Sequence, residues 1–238
     1  MLAKASHTKA LLLYFFKKNK GGLGLKILNA PTVTKNQCKE WIKTVKTANA
    51  LALDLIDELY DCAVINGVDP VVLIAQAMLE TGYFNYGGKM TAAYRNTCGL
   101  KAPDGKDYAR FNTWHEGIMA HSDHLALYAG SNKTPKANSP DPKHYSSLHG
   151  VSSTVEGLVG IWASDSKYAT KIITITKNIQ ATKANTTPSN TCKPSTNGNS
   201  VDEDSMKKNI TQINKIYTKN KAKQMSDMFK SKINKKKR

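Results

Sequence analysis

A mainly α-helical domain (mainly α, α+β) carrying one small β-hairpin lobe is the fold class that this 238-residue chain predicts. Three observations lead there. Apolar residues recur at three- and four-residue spacings over much of residues 35–180, the period of an amphipathic helix. Helix starts and stops interrupt that pattern near Gly67, Asp69, Gly82 and Thr113. Between two helical stretches the chain changes to short extended runs on either side of "PDG", which is turn chemistry.

Residues 1–34 form an N-terminal segment broken by "GGLG" and "NAPTVTKN". From Lys35 the pattern is helical, with Trp41, Val45, Ala48, Ala52, Leu55, Leu59 and Ala63 on mixed three- and four-residue spacing and Gly67 as the stop. Asp69 is an N-cap with Pro70 at the first helical position, and the helix it opens runs to about Thr81, where Gly82 breaks it. The hairpin follows, "CGLKA" and "DYARFNTW" flanking the turn. Thr113 and Glu116 then make a T-x-x-E capping box that opens the helix "WHEGIMAHSDHLALYAG". A further helix is expected from Ser152 or Ser153 through "VEGLVGIWASD", followed by "KYATKIITITKNI". The domain so delimited covers residues 35–180. Residues 181–205, rich in Thr, Ser, Asn and Pro, read as a linker.

Composition narrows the class. With 40% apolar residues the chain can bury one sizeable core plus extra segments, or two modest domains, and one domain with tails is expected. Cys38, Cys62, Cys98 and Cys192 are far apart and show no C-x-x-C spacing, which argues against a zinc ribbon or a dense disulfide framework. No stretch approaches the ~20 apolar residues that cross a bilayer. The run "ALLLYFF" at 10–16 is followed by "KKNKGG" rather than a small-residue cleavage site, so it reads as a hydrophobic segment and not as a clear signal peptide.

Net charge is +17, from 35 Lys+Arg against 18 Asp+Glu. Residues 206–238 hold twelve basic residues and one acid, Asp227, giving +11 there and leaving +6 for the other 205 residues. The basicity is therefore mostly a property of this C-terminal segment, where Met206, Ile210, Ile213 and Tyr217 also fall on helical spacing. A basic amphipathic helix and a solvated tail both fit, and either suits an anionic wall polymer, a membrane surface or nucleic acid.

Glu80 is the sharpest chemical signal. It sits in the last turn of "VDPVVLIAQAMLETGYFNYGG" (68–88), a run that otherwise reads as buried helix. The negative end of the helix dipole and apolar neighbours such as Ile74, Ala77 and Met78 both favour its protonated form. That is the state a glycosidase's general acid needs. An exposed Glu at a helix end is the plain alternative for this residue taken alone.

The sequence "AQAMLETGYF", followed by "NTCGLKA", "ARFNTW" and "WASDSKYATKI", resembles the glucosaminidase domain of glycoside hydrolase family 73, the peptidoglycan endo-β-N-acetylglucosaminidases. Four motifs occur in the family's order, over residues 35–179. The resemblance implies a lysozyme-like fold with a small β lobe beside a cleft, Glu80 as general acid, Tyr168 as the late active-site tyrosine, and Asn96, Gly99 and Lys101 in the cleft segment. It implies peptidoglycan glycan strands as substrate; no cofactor is expected, and no obligate protein partner is evident in the sequence. Action at a bacterial cell wall follows, delivered as a phage lysin or by a non-classical autolysin route. Muramidase and lytic transglycosylase chemistry, and a non-catalytic wall-binding module, are the alternatives. Tyr83 and Phe84 stand where the family often has "WG". Asp104 and Asp107 are the acids inside the expected β lobe; Asp104 is explained by its turn and Glu116 by its capping box, so Asp107 is the candidate for a second carboxylate, with the substrate's acetamido group as the alternative.

Among the aromatic residues near these motifs, Tyr83, Tyr86 and Tyr168 are the candidates to meet a pyranose ring. His121 and His124 share a helix face, with His115, His144 and His149 nearby in sequence, but an i,i+3 pair without H-E-x-x-H or a cysteine partner is a weak zinc signal, and no metal is assigned.

Removing residues 206–238 is expected to abolish retention on anionic wall polymer at low salt, because exposed lysines act through screened charge. A cosedimentation assay over a salt series checks this; retention unchanged at low salt would exclude the role.

Overall fold

The computed structural model describes residues 24–133 and 135–183. The chain divides into two units, Met1–Asn185 and Thr186–Arg238, and every described residue belongs to the first. The hydrophobic run 10–16, nearly all of the 181–205 linker and the basic segment 206–238 lie outside the described residues.

Six α-helices occur among the described residues: α1 (Lys35–Thr44), α2 (Ala50–Asp54), α3 (Ile56–Asn66), α4 (Pro70–Glu80), α5 (Trp114–Tyr128) and α6 (Tyr168–Ala181). None is long and apolar enough to cross a membrane. Helix α1 starts at a capping box in which Thr34 and Gln37 satisfy each other's backbone N–H. The single long helix expected from Lys35 to Gly67 is instead three. Asn49 supplies the reason for the first break: its side chain accepts from the Leu51 N–H and so starts a new helix. Gly67, at φ 75, closes α3 as its sequence position implies.

Helix α4 is the centre of the fold. Asp69 caps it, accepting from Val71 N–H, and Pro70 occupies the first turn. Asp69 also accepts from the Thr32 hydroxyl at 2.8 Å, tying the cap to the chain before α1. Residues 70–78 are all buried and, Gln76 apart, all apolar, so α4 must be enclosed. It packs against α3 and α6, while α5 covers α3.

The extended segment around Ile27, which the sequence left irregular, wedges between two distant stretches. Ile27 N–H donates to Ser153 at 3.1 Å, and Ile27 C=O accepts from Asp69 N–H at 2.9 Å. The Ile27 side chain is fully buried. The helix expected from Ser152 through Asp165 is absent; Glu156–Leu158 form one 3-10 turn there. Gly157 and Gly160, the latter at φ 80, interrupt this stretch, and glycine disfavours a continuous helix. Around the "PDG" turn the expected hairpin comes down to one antiparallel bridge, Lys101 to Tyr108, flanked by Ala102 N–H to Asp107 O (2.9 Å) and Ala109 N–H to Leu100 O (2.8 Å). No residue among those described lies in a longer strand.

Gly117 in the first turns of α5 permits a close crossing: a Cβ there would stand 1.7 Å from the Arg95 carbonyl oxygen. Gly117→Ala is expected to destabilise the domain by about 3 kcal/mol, since the obstruction is backbone and must move. Chemical denaturation of the two proteins measures it; an unchanged midpoint would contradict the crossing.

Candidate active site

Glu80 ends α4, and the chain turns sharply after it. Thr81 makes the turn: its hydroxyl donates to Ala77 C=O at 2.7 Å and accepts from Phe84 N–H at 2.9 Å. Gly82, Tyr83 and Phe84 then follow one another in the left-handed region, at φ 56, 56 and 63, with Tyr86 at φ 52. Non-glycine residues seldom adopt this conformation, and a run of them needs external support. Asn49 N–H supplies some of it, donating to Tyr83 C=O at 3.0 Å, and Asn85 Nδ2 donates to Thr47 C=O at 2.7 Å.

The turn sends residues 86–90 along one side of a cleft of about 440 Å³, a size typical of small-ligand sites. Glu80 lies in its wall, with Gly99, Lys101 and Tyr108 to one side and His124, Tyr128 and Trp162 to another. Among the lining residues Glu80 is the sole carboxylate.

Two donors converge on Glu80 Oε1: the Tyr168 hydroxyl at 2.5 Å and Trp162 Nε1 at 3.0 Å. Burial pushes the Glu80 carboxyl above its ordinary range, and these two donors oppose the shift. Burial, with the Glu80 charge beside it, also holds the Tyr168 hydroxyl protonated. Tyr168 opens α6 and is nearly enclosed. Behind it, Gln76 Nε2 donates to the Tyr168 oxygen at 2.8 Å. Trp162 is fixed by the His124 ring at 5.2 Å and the Tyr128 ring at 5.3 Å, both edge-on, and His124 Nδ1 bonds the buried Asp141 at 2.7 Å.

The structure thus joins Glu80 and Tyr168 and sets Tyr86 and Lys101 in the cleft wall, Lys101 with its ammonium 3.6 Å from the Tyr108 ring centre. Three sequence expectations are corrected. Asn96 is fully buried and spends its amide on its own loop, donating to Leu100 and Ala109 C=O (2.9 and 3.1 Å) and accepting from Cys98 and Leu100 N–H (3.3 and 3.1 Å), so nothing is left for a substrate. Tyr83 packs on Trp41, ring centres 6.3 Å apart, outside the cleft lining. Asp107 is absent from that lining too; its carboxylate accepts from Tyr108 N–H at 2.7 Å and faces Arg110 at 3.6 Å in solvent.

Of the histidines, His121 has both ring nitrogens engaged, with Thr97 and Gln76, and His124 is paired with Asp141. A different group, Glu58, Cys62 and His115, brings three ligand-type atoms within 4.8 Å of one another outside the cleft lining. A bond between His115 Nδ1 and Glu58 accounts for that proximity without a metal.

Sequence reading missed Gln76 and Trp162 and weighed His121 only as half of a weak zinc motif. Gln76 carried a usable signal: a polar residue one turn before Glu80 on a helix otherwise apolar all round needs a buried partner.

The family model for mannosyl-glycoprotein endo-beta-N-acetylglucosaminidase matches residues 57–181. An uncharacterized protein of Borreliella burgdorferi is 34% identical over 125 residues, which are 52% of this chain and 59% of that relative. The chain therefore spans less than two thirds of that relative's length. No solved structure matches.

Because the Glu80 carboxyl is raised in the folded state, its favourable contribution is complete below the unfolded value and is lost as pH rises through the folded one. Glu80→Gln carries no charge to desolvate. The variant is expected to melt close to wild type at about pH 4 and above it at about pH 8. Calorimetry at the two pH values checks this, and a variant less stable at the higher pH would contradict it.

Proposed function

The chain belongs to the glucosaminidase family of glycoside hydrolases, and from that premise we propose that it cleaves the β-1,4 bond after N-acetylglucosamine in peptidoglycan glycan strands, with Glu80 as general acid. The observation that carries this reading is a desolvated carboxyl, alone of its kind in the cleft wall, with one oxygen occupied by two fixed donors. The other oxygen is free to give its proton to the glycosidic oxygen as the bond to the anomeric carbon breaks.

The cleft's single carboxylate supports a substrate-assisted route. The acetamido oxygen of the N-acetylglucosamine unit bonds to its own anomeric carbon as the leaving sugar departs with Glu80's proton. Water then opens the resulting oxazolinium ring, returning a proton to Glu80. This replaces the second carboxylate of the two-carboxylate routes, whose separation would otherwise set the stereochemistry. The same single carboxylate favours one second reading, a lytic transglycosylase, in which a sugar hydroxyl takes the place of water and the product ends in an anhydro ring.

Place of action follows from substrate: the bacterial cell wall, with the basic segment 206–238 as contact to anionic polymer. Phage lysin and autolysin are the two settings this activity suits.

Digestion of purified peptidoglycan, borohydride reduction and mass spectrometry distinguish the outcomes. Reduced N-acetylglucosamine ends are expected. Muramic acid ends would make the protein a muramidase, anhydro ends a transglycosylase, and the absence of soluble product a wall-binding module. Glu80→Gln is expected to lower kcat by about 10²–10⁴-fold, the range supplied by a positioned acid.

A further inference from the structure

Behind the Glu80–Tyr168 pair runs a chain of hydrogen bonds through the core that the proposed reaction does not use directly. Thr97 Oγ1 lies 3.0 Å from His121 Nδ1. His121 Nε2 lies 3.1 Å from Gln76 Oε1. Gln76 Nε2 donates to the Tyr168 oxygen at 2.8 Å, and the Tyr168 hydroxyl donates to Glu80 Oε1 at 2.5 Å. Thr97, His121 and Gln76 have no exposed surface at all. They come from three parts of the chain: the loop before the "PDG" turn, α5 and α4.

Each link constrains the next. A primary amide has donors on one atom and an acceptor on the other, so Gln76 can give a hydrogen to Tyr168 only with its oxygen toward His121. That oxygen then requires a hydrogen on His121 Nε2. A neutral imidazole holding its proton on Nε2 leaves Nδ1 as an acceptor, which the Thr97 hydroxyl supplies. At the far end, the indole N–H of Trp162 can only donate, so Oε1 is an acceptor from both sides. Oε2 lies 4.0 Å from where a Cβ on Gly99, a cleft-lining residue, would stand.

We propose that Gln76, His121 and Thr97 are positioning residues for the acid: a buried, neutral chain of hydrogen bonds with one direction, which makes Tyr168 donate to Glu80 Oε1 and so keeps the transferable proton on Oε2. The proposal rests on Glu80 being the acid. Reversal of the chain would turn the Gln76 oxygen toward Tyr168, take the tyrosine hydrogen away from Glu80 and leave Oε1 to compete for the proton. Neutrality of His121 is consistent with its burial, which, with His124 nearby on the same helix, pushes its imidazole down to about 3. Around Glu80 the other titratable groups are Tyr168 on α6, Cys98 on the loop and Tyr86, Lys89, Lys101, Tyr108, His124, Tyr128 and Lys143 in the cleft wall. None of these lies between Gln76 and Thr97 in the chain of bonds.

The test reads the chain by NMR on the full-length protein and needs no turnover. In wild type, long-range nitrogen–proton spectra of the histidine rings, with His121 identified from its loss in His121→Gln, are expected to show hydrogen on Nε2 and none on Nδ1, unchanged down to about pH 4. Hydrogen on Nδ1, or titration near the ordinary histidine value, would overturn the proposal. The second measurement follows the Glu80 carboxyl carbon with pH. His121→Leu frees the Gln76 amide to reverse, so the Glu80 midpoint is expected to move upward, whereas His121→Gln retains an N–H for Gln76 Oε1 and is expected to restore the midpoint toward wild type. Equal midpoints in all three proteins, or equal shifts in both variants, would overturn it. A protein that shows these signals yet releases no sugar would refute the activity and leave the hydrogen-bond chain standing.

Discussion

The domain is arranged around the problem of partly desolvating one cleft-facing carboxyl without leaving it unsatisfied. Helix α4 is enclosed on all sides and delivers Glu80 to the cleft at its last residue. Burial raises the cost of the charge, and two donors on a single oxygen lower it. A carboxyl with fewer donors would stay protonated too firmly to release its hydrogen; one with donors on both oxygens would lose it too early. Both donors fall on Oε1, which on the proposed function leaves Oε2 to carry the transferable proton.

That arrangement also explains the rest of the architecture. Helix α6 is needed to bring Tyr168 under Glu80, and the 3-10 turn at Glu156–Leu158 leads the chain to Trp162. The extended segment at Ile27 binds that region to the start of α4, so cap, wedge and acid form one connected body. The reversed turn after Glu80 spends conformational strain to expose the acid to the cleft instead of continuing the helix over it.

Much of this was legible in sequence where local chemistry decides structure. The Asp69–Pro70 start, the Gly67 stop and the Thr113–Glu116 box each act over three or four residues, and each stands where its spacing put it. Glu80 stood out because a carboxylate ending an apolar helix is locally anomalous, and the structure places it in the cleft wall. What failed to show depends on distant partners. Asn96 reads as a cleft residue until the loop that consumes its amide is seen. The left-handed run through Tyr83 and Phe84 contradicts their residue types and is held by Asn49 and Asn85. His121 presented itself as half of a weak metal motif, whereas its partners come from α4 and from the loop at Thr97.

The separation of the two donors from the acid along the chain has a consequence for biosynthesis. Trp162 and Tyr168 lie 82 and 88 residues after Glu80. At ribosomal speeds the acid is made about 4 to 18 s before Tyr168 exists to accompany it. A truncated or nascent chain ending before α6 contains the carboxyl but not the environment that tunes it. On the proposed function, the potential to cut a glycan strand therefore arises only once Trp162 and Tyr168 have been made and folded against Glu80.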